Sequence, residues 1–278
     1  MHYETIKLNP FGVMLKPKSG AVSIRHIEID LLRELFNKEF FVVLRGFEPL
    51  RDSLDFETFS QYWGEIDIWP FGKVLDLIQN EDPDDHIFDN SYMPLHWDGM
   101  YRPKIPQYQI FQCVKAPSEN QGGKTYFSNT FSALENASTE DVNVWKQVTG
   151  TYQRKMEFYN SKVISPIITK HPHREYNVIR YSEPHFESRG KLINPPITRF
   201  TGIDVEYIDD FHRSLRKALY SQNTLYAHRW QTDDIVISDN FTLLHGRESF
   251  KSKSSRHIRR IQVLSNPQFE NPGLDSYQ

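Results

Sequence analysis

Apolar positions change period along this chain. In the first hundred residues helical and strand periods alternate. Ile27, Leu31, Leu32, Leu35 and Phe36 recur at helical spacing, and the apolar run at residues 40–44, closed by Arg45-Gly46, predicts a buried strand. Phe56, Phe59 and Trp63 predict a second helix ended by Gly64. From Leu95 onward the texture is one of short strands, at residues 108–114, 124–128, 169–180, 225–230, 234–238, 242–245 and 259–264. Helices interrupt them. Ser132-Ala133-Leu134-Glu135 has the form of a capping box, residues 138–148 read as a helix, and Ile208, Phe211, Leu215 and Leu219 form a stripe over residues 204–220. A polar loop with Pro117, Gly122 and Gly123 separates the first two of the strands after Leu95. Many short strands with a few outer helices predict a mainly β protein with flanking helices (α+β), built as a sandwich or jelly roll. No internal repeat and no low-complexity linker divides the chain, so a single domain over residues 1–278 is expected.

Composition narrows the function classes. Of 278 residues, 38% are hydrophobic and 25% charged, an ordinary globular balance. The net charge of -3 offers no basic face for nucleic acid. No apolar run approaches the roughly 20 residues of a membrane span, and the first ten residues carry no signal-peptide core. A single cysteine, Cys113, excludes an internal disulfide framework and any Cys-rich metal site. A soluble cytoplasmic protein acting on a small molecule is the expectation; the oligomeric state is not encoded. Aromatic residues at 14% fit a well-filled core.

The candidate chemistry lies at His96-Trp97-Asp98 and, far downstream, His245. A His-x-Asp pair with one distant His is the ligand set of the 2-His-1-carboxylate facial triad, which holds non-heme Fe(II) by one face and leaves the other open. Chance gives roughly one His-x-Asp pair in a chain of this composition, so the motif alone is weak. Context strengthens it. Pro94 and Gly99 place the pair at a strand end, where residues two apart share a face and Trp97 turns away. Three His-x-Glu pairs compete. His26/Glu28 lies on a helical pattern, where residues two apart diverge; His173/Glu175 and His185/Glu187 lack downstream company. An iron of this kind draws electrons from a co-substrate, most often 2-oxoglutarate, whose far carboxylate needs a buried cation. Arg256 and Arg260 follow His245 and share one face of a strand. The plain alternative is a solvated basic patch with Lys251, Lys253, His257 and Arg259.

Taken in order, His96-x-Asp98, Gly122-Gly123-Lys124-Thr125, Asp239-Asn240, His245, Arg256 and Arg260 resemble the TauD/TfdA family of Fe(II)/2-oxoglutarate-dependent oxygenases, which have a double-stranded β-helix core. The likeness starts early, at Leu44-Arg45-Gly46-Phe47 and Trp63-Gly64-Glu65-Ile66. It implies His96, Asp98 and His245 as iron ligands, Thr125 and Arg256 as the holders of 2-oxoglutarate, and O2 as second co-substrate. Arg260 matches the family's second arginine, which faces substrate in sulfonate-using members. Gly122 and Gly123 shape a turn, and Asp239-Asn240 a turn that positions the strand of His245. The runs at residues 96–101 and 108–113 resemble more closely the PvcB/IsnB branch, which desaturates an L-tyrosine-derived isonitrile, in some members with loss of the carboxylate. A substrate carboxylate calls for one more cation, for which Arg260, Arg180, Arg199 and, less so, Arg102 are candidates, with Tyr101 beside the metal motif. The alternatives are a family hydroxylase acting on another small carboxylate or sulfonate, a metal-dependent hydrolase using the same ligands with zinc, and a non-catalytic jelly-roll binding protein.

Overall fold

The computed structural model describes residues 3–156, 159–186 and 190–276. Its largest sheet has seven strands. In spatial order they are β1 (Tyr3–Lys7), β2 (Val13–Pro17), β3 (Phe41–Leu44), β14 (Ile235–Asp239), β6 (Tyr108–Lys115), β16 (His257–Val263) and β4 (Leu75–Ile78), numbered along the chain. Neighbours are antiparallel except β2 and β3. A second sheet of four strands runs β13 (Leu225–His228), β7 (Thr125–Asn129), β15 (Leu243–Arg247) and β5 (Met93–His96).

Strand alternation explains how the two sheets meet. Successive side chains of β3 point to opposite faces. Phe41 and Val43 join Phe111, Val236 and Ile258 in packing against Phe127 and Leu243 of the second sheet. Val42 and Leu44 turn to the other face, with Ile110, Ile235, Ile237 and Ile261, and are covered by helices α1 (Ile29–Glu39) and α2 (Ser53–Gln61). Both faces of the sheet are therefore dry at β3, which is why that strand is apolar at every position. The second sheet is covered in turn by α3 (Thr130–Asn136), α4 (Thr139–Gln147) and α5 (Ile208–Leu219), which bury Ala133, Trp145, Phe211, Leu215 and Leu219. A further sheet of β12 (Ile197–Thr201), β8 (Thr149–Met156), β9 (Tyr159–Pro166) and β17 (Leu274–Ser276) lies beyond it. The result is the expected jelly roll with flanking helices.

Several sequence expectations need correction. The capping box at Ser132 is not one: Asn129 is the N-cap of α3, accepting from the Ser132 amide at 3.1 Å, so Ser132 lies inside the helix. The strand expected over residues 169–180 is a hairpin of β10 (Ile168–Lys170) and β11 (Asn177–Ile179); Pro172 has no amide to give a continuing ladder. The helix at Phe56 stops at Gln61, before Trp63. Ser138 caps α4 as its position suggested, accepting from the Asp141 amide at 3.1 Å. Among the described residues no helix is long and apolar enough to cross a membrane.

The Phe41 ring is fully buried between the sheets, with its centroid 4.6 Å from that of Phe127 and 5.2 Å from that of Tyr226. Phe41→Ala should cost about 3–5 kcal/mol of unfolding free energy, read from urea denaturation at equilibrium; a loss below about 1 kcal/mol would show that the sheets do not close on this ring.

Candidate metal centre

His96 ends β5 and His245 stands at the middle of β15; the two are direct cross-strand partners. Their ring centroids are 4.2 Å apart. Asp98 follows in the loop after β5, with its Oδ1 3.8 Å from His96 Nε2 and its Oδ2 3.8 Å from His245 Nε2. One donor atom from each of the three lies within 4.8 Å of the others. Trp97, between the first two, turns the opposite way and meets the Tyr152 ring edge-on at 5.4 Å.

The loop is held from outside. The Asp98 amide donates to Asn240 Oδ1 at 2.9 Å, and Asn240 Nδ2 donates to the Asp98 carbonyl at 2.9 Å and to the Pro106 carbonyl at 2.8 Å. Gly99 takes φ +81°, and a Cβ there would stand 2.4 Å from Pro106 Cδ, so the turn after the carboxylate needs glycine. Asp98 Oδ2 accepts from Gln109 Nε2 at 2.6 Å and from Arg260 Nη1 at 2.5 Å. His96 Nδ1 lies 2.8 Å from the Pro94 carbonyl, an acceptor that fixes the proton on Nδ1 and leaves Nε2 for a metal.

Electrostatics favour a metal. Burial would raise the Asp98 carboxyl, but the Arg260 guanidinium leads the neighbours that outweigh it and hold the group below the ordinary carboxylate range. Burial, then the neighbouring His96, pushes His245 down to about 3; burial also lowers His96. A carboxylate and two neutral imidazoles are the protonation states that ligate a cation.

A cavity of about 150 Å³ opens on these donors. Thr125, Arg256, Arg260 and Tyr101 line it, as the sequence led one to expect. Thr125 Oγ1 accepts from Trp230 Nε1 at 2.9 Å. Arg256 is 4% exposed and has no ion-pair partner among the described residues; its Nε donates to the Gly123 carbonyl at 3.2 Å. Burial first, then the nearby Arg247, lowers it to about 9. Gly123, at φ +83°, would bring a Cβ to 3.0 Å from Arg256 Cδ, so the second glycine of the Gly-Gly pair lets this arginine lie against the backbone. A buried guanidinium without an acid awaits an anion.

Other expectations are not met. Arg199 is exposed on β12, paired across from Thr151, and does not reach the cavity. Arg180 is buried but lines a different cavity, behind Trp97. Arg102 is paired with Asp67 at 3.3 Å and covers the Trp69 ring. The competing His-x-Glu pairs, by contrast, are set aside already in the sequence; His26 belongs to a short 3-10 turn, Glu175 pairs with Lys170 at 2.8 Å, and Glu187 lies outside the described residues. Sequence reading overlooked Arg154 and Arg247, which line the cavity, and Gln109 on the metal-side carboxylate. Arg247 carries a signal, two residues after His245 on β15; Arg154 and Gln109 carry none, because the sheet packing alone decides which way their strands face.

A jelly roll carrying two histidines and an aspartate at one end of the sandwich, beside a buried arginine, defines the class of Fe(II)- and 2-oxoglutarate-dependent oxygenases. The family profile described as "Taurine catabolism dioxygenase TauD, TfdA family" matches residues 15–262, and the chain belongs to that family. It is 43% identical over 264 residues to the tyrosine isonitrile desaturase of Erwinia amylovora, covering 95% of this chain and 90% of the relative. It is 40% identical over 264 residues to the tyrosine isonitrile desaturase of Pseudomonas aeruginosa, covering 95% and 91%. The solved structure of PvcB, an Fe, alpha-ketoglutarate dependent oxygenase from an isonitrile synthetic pathway, superposes with a TM-score of 0.86 at 36% identity, covering 99% of this chain and 97% of that one. Family membership sets aside the hydrolase and non-catalytic alternatives. The enzyme uses Fe(II), 2-oxoglutarate and O2 on a small-molecule substrate.

Asn240 lines neither cavity yet holds both backbone groups of Asp98. Asn240→Ala should weaken Fe(II) binding by roughly 10–100-fold, as loss of an outer partner does. Anaerobic titration followed by absorbance with 2-oxoglutarate would read it; unchanged affinity in a folded variant would refute the clamp.

Proposed function

We propose that the enzyme desaturates an L-tyrosine-derived isonitrile to a vinyl isonitrile, and that residues 1–278 form one catalytic domain working in the cytoplasm. The observation that carries the reading is the convergence of three donors and the acid-free Arg256 on one cavity, in a chain at least 40% identical to two tyrosine isonitrile desaturases. On this reading His96, Asp98 and His245 hold Fe(II), Thr125 and Arg256 hold 2-oxoglutarate, and Arg260 and Tyr101 face the primary substrate. Fe(II) with 2-oxoglutarate and O2 supplies the oxidant, and the removal of two hydrogens from substrate carbon is balanced by one succinate, one CO2 and one water.

The protein's own part is binding, orientation and exclusion of water. Arg256 offers Nη1 and Nη2 to the distal carboxylate of the co-substrate, in the bidentate geometry its planar fork permits. Phe111 and Phe127, with centroids 6.3 and 6.5 Å from the His245 ring, give that side of the metal an apolar wall. Trp69, Phe71, Phe88 and Met100 give the rest of the cavity the apolar surface an aromatic substrate needs. Its carboxylate finds Arg260 on one side. Arg154 is a further cation on the wall, held by Asp85 through Nη2 at 2.6 and 2.5 Å. Arg154 takes the place that Arg180 and Arg199 do not fill.

Two experiments test the reading. Protein given Fe(II), 2-oxoglutarate, ascorbate and tyrosine isonitrile should yield vinyl isonitrile and succinate in equal amounts, followed by mass spectrometry. Turnover of a sulfonate or another small carboxylate, with none of any aromatic isonitrile, would replace this substrate by the hydroxylase alternative. Arg256→Met should raise the KM for 2-oxoglutarate by roughly 10–100-fold, the worth of a charge-assisted hydrogen bond, while anaerobic Fe(II) affinity stays within about twofold. An unchanged KM would remove Arg256 from the co-substrate site.

A further inference from the structure

Trp97 is the partition between two cavities, lining both. The one behind it has a volume of about 180 Å³ and is walled by Ile105, Val163, Phe269 and Pro272, with Ser165 and Thr169 as hydroxyl groups. Its charged lining residues are Lys170 and Arg180; among the described residues no aspartate or glutamate lines it. Lys170 is paired with Glu175 at the surface. Arg180 is 4% exposed. Its Nη1 donates to the Asn240 carbonyl at 2.9 Å, and its Nη2 is buried with no partner among the described residues. The guanidinium carbon lies 5.9 Å from the Trp97 ring centroid and 5.8 Å from that of Phe241. Asp239, whose field favours the charge, makes no ion pair with it and accepts instead from the Phe241 amide at 3.0 Å and Thr242 Oγ1 at 2.8 Å.

Burying an unsatisfied donor of a charged group is costly, and so is a buried charge without a counter-charge. Water in the cavity would supply the hydrogen bond but not the charge. We propose that this cavity is an anion site, in which Arg180 binds a small monovalent carboxylate or inorganic oxyanion. The site is separate from the one that takes 2-oxoglutarate and from the substrate reading above. It is also wired to the metal: Arg180 grips the carbonyl of Asn240, and the Asn240 side chain grips both backbone groups of Asp98. An anion that fixes the guanidinium stiffens the loop carrying the candidate carboxylate ligand.

The test uses the full chain loaded anaerobically with Fe(II) and saturating 2-oxoglutarate, so that Arg256 is occupied. Acetate and nitrate are titrated separately at constant ionic strength, balanced with chloride, which is neither a carboxylate nor an oxyanion; calorimetry and thermal unfolding are the readouts. Acetate stands for the carboxylate class and nitrate for the inorganic one. Saturable binding of either is expected, weakened by at least about tenfold in Arg180→Met, the loss of one charge-assisted hydrogen bond. Thr169→Phe, which fills the cavity and leaves Arg180 in place, should weaken it as much and decides the matter if Arg180→Met does not fold. Absence of saturable binding at matched ionic strength means that the cavity holds water alone and overturns the proposal. Equal affinity in wild type and folded variants would place the anion elsewhere and overturn it as well.

Discussion

A single cross-strand pair underlies the centre of this molecule: His96 opposite His245, on neighbouring strands of the smaller sheet. Side chains directly opposite in an antiparallel ladder stand about 5 Å apart, the spacing two ligands of one ion require. A slip of one residue would send one imidazole to the far face of the sheet. Gly246, the next residue along β15, guards the register. The ladder shifts between His245 and Arg247, and a Cβ on Gly246 would stand 2.7 Å from the Met93 carbonyl, so only glycine lets the strands approach there. On its other side β15 pairs with β7, with His245 opposite Phe127, and Phe127 packs on Phe41 of the large sheet. The metal-side geometry is thus an extension of the way the two sheets close on each other.

The same constraint explains which site residues are legible in the sequence. His96, Asp98 and His245 are, because two of them sit two residues apart at a strand end and the third lies in an apolar strand. Arg260 is legible from its place in β16, whereas Arg256, expected on the same strand, stands one residue before that strand begins. The ladder also shifts between His257 and Ile258, so the two arginines meet at the cavity without sharing a regular strand face. The arginines at 180 and 199 are not legible, because neither shares a strand with a candidate ligand. Their destinations depend on how the hairpin of β10 and β11 and the outer sheet stack, a long-range matter with no local period. Arg180 reaches the near side of the ligand loop and still misses the site, since Trp97 stands between.

The helical errors have a similar origin. Ser132 and Glu135 fit the capping box in type and spacing, but the helix starts one turn earlier, where Asn129 can both end β7 and accept from the Ser132 amide. Asn240 shows the converse. Its sequence suggested a turn, and it does sit in one, yet its amide is spent on the Asp98 backbone and the Pro106 carbonyl. Which polar groups a turn residue serves is fixed by the segments that the fold brings alongside.

Charge is what ties the cavity to its ligands. Four of its wall residues are arginines: Arg154, Arg247, Arg256 and Arg260. Three face carboxylates, at Asp85, Asp89 and Asp98, and the wall residue Glu183 is offset by Arg216 at 2.9 Å. Among the described residues of this wall, the protein alone therefore leaves one unpaired positive charge, on Arg256. A divalent metal raises the surplus to three, and dianionic 2-oxoglutarate brings it back to one. A low-dielectric site tolerates an unbalanced charge poorly, so the loaded centre is complementary to a primary substrate bearing one negative charge. A monocarboxylate such as an amino-acid-derived isonitrile meets that condition, and a neutral amide or ester of the same skeleton does not.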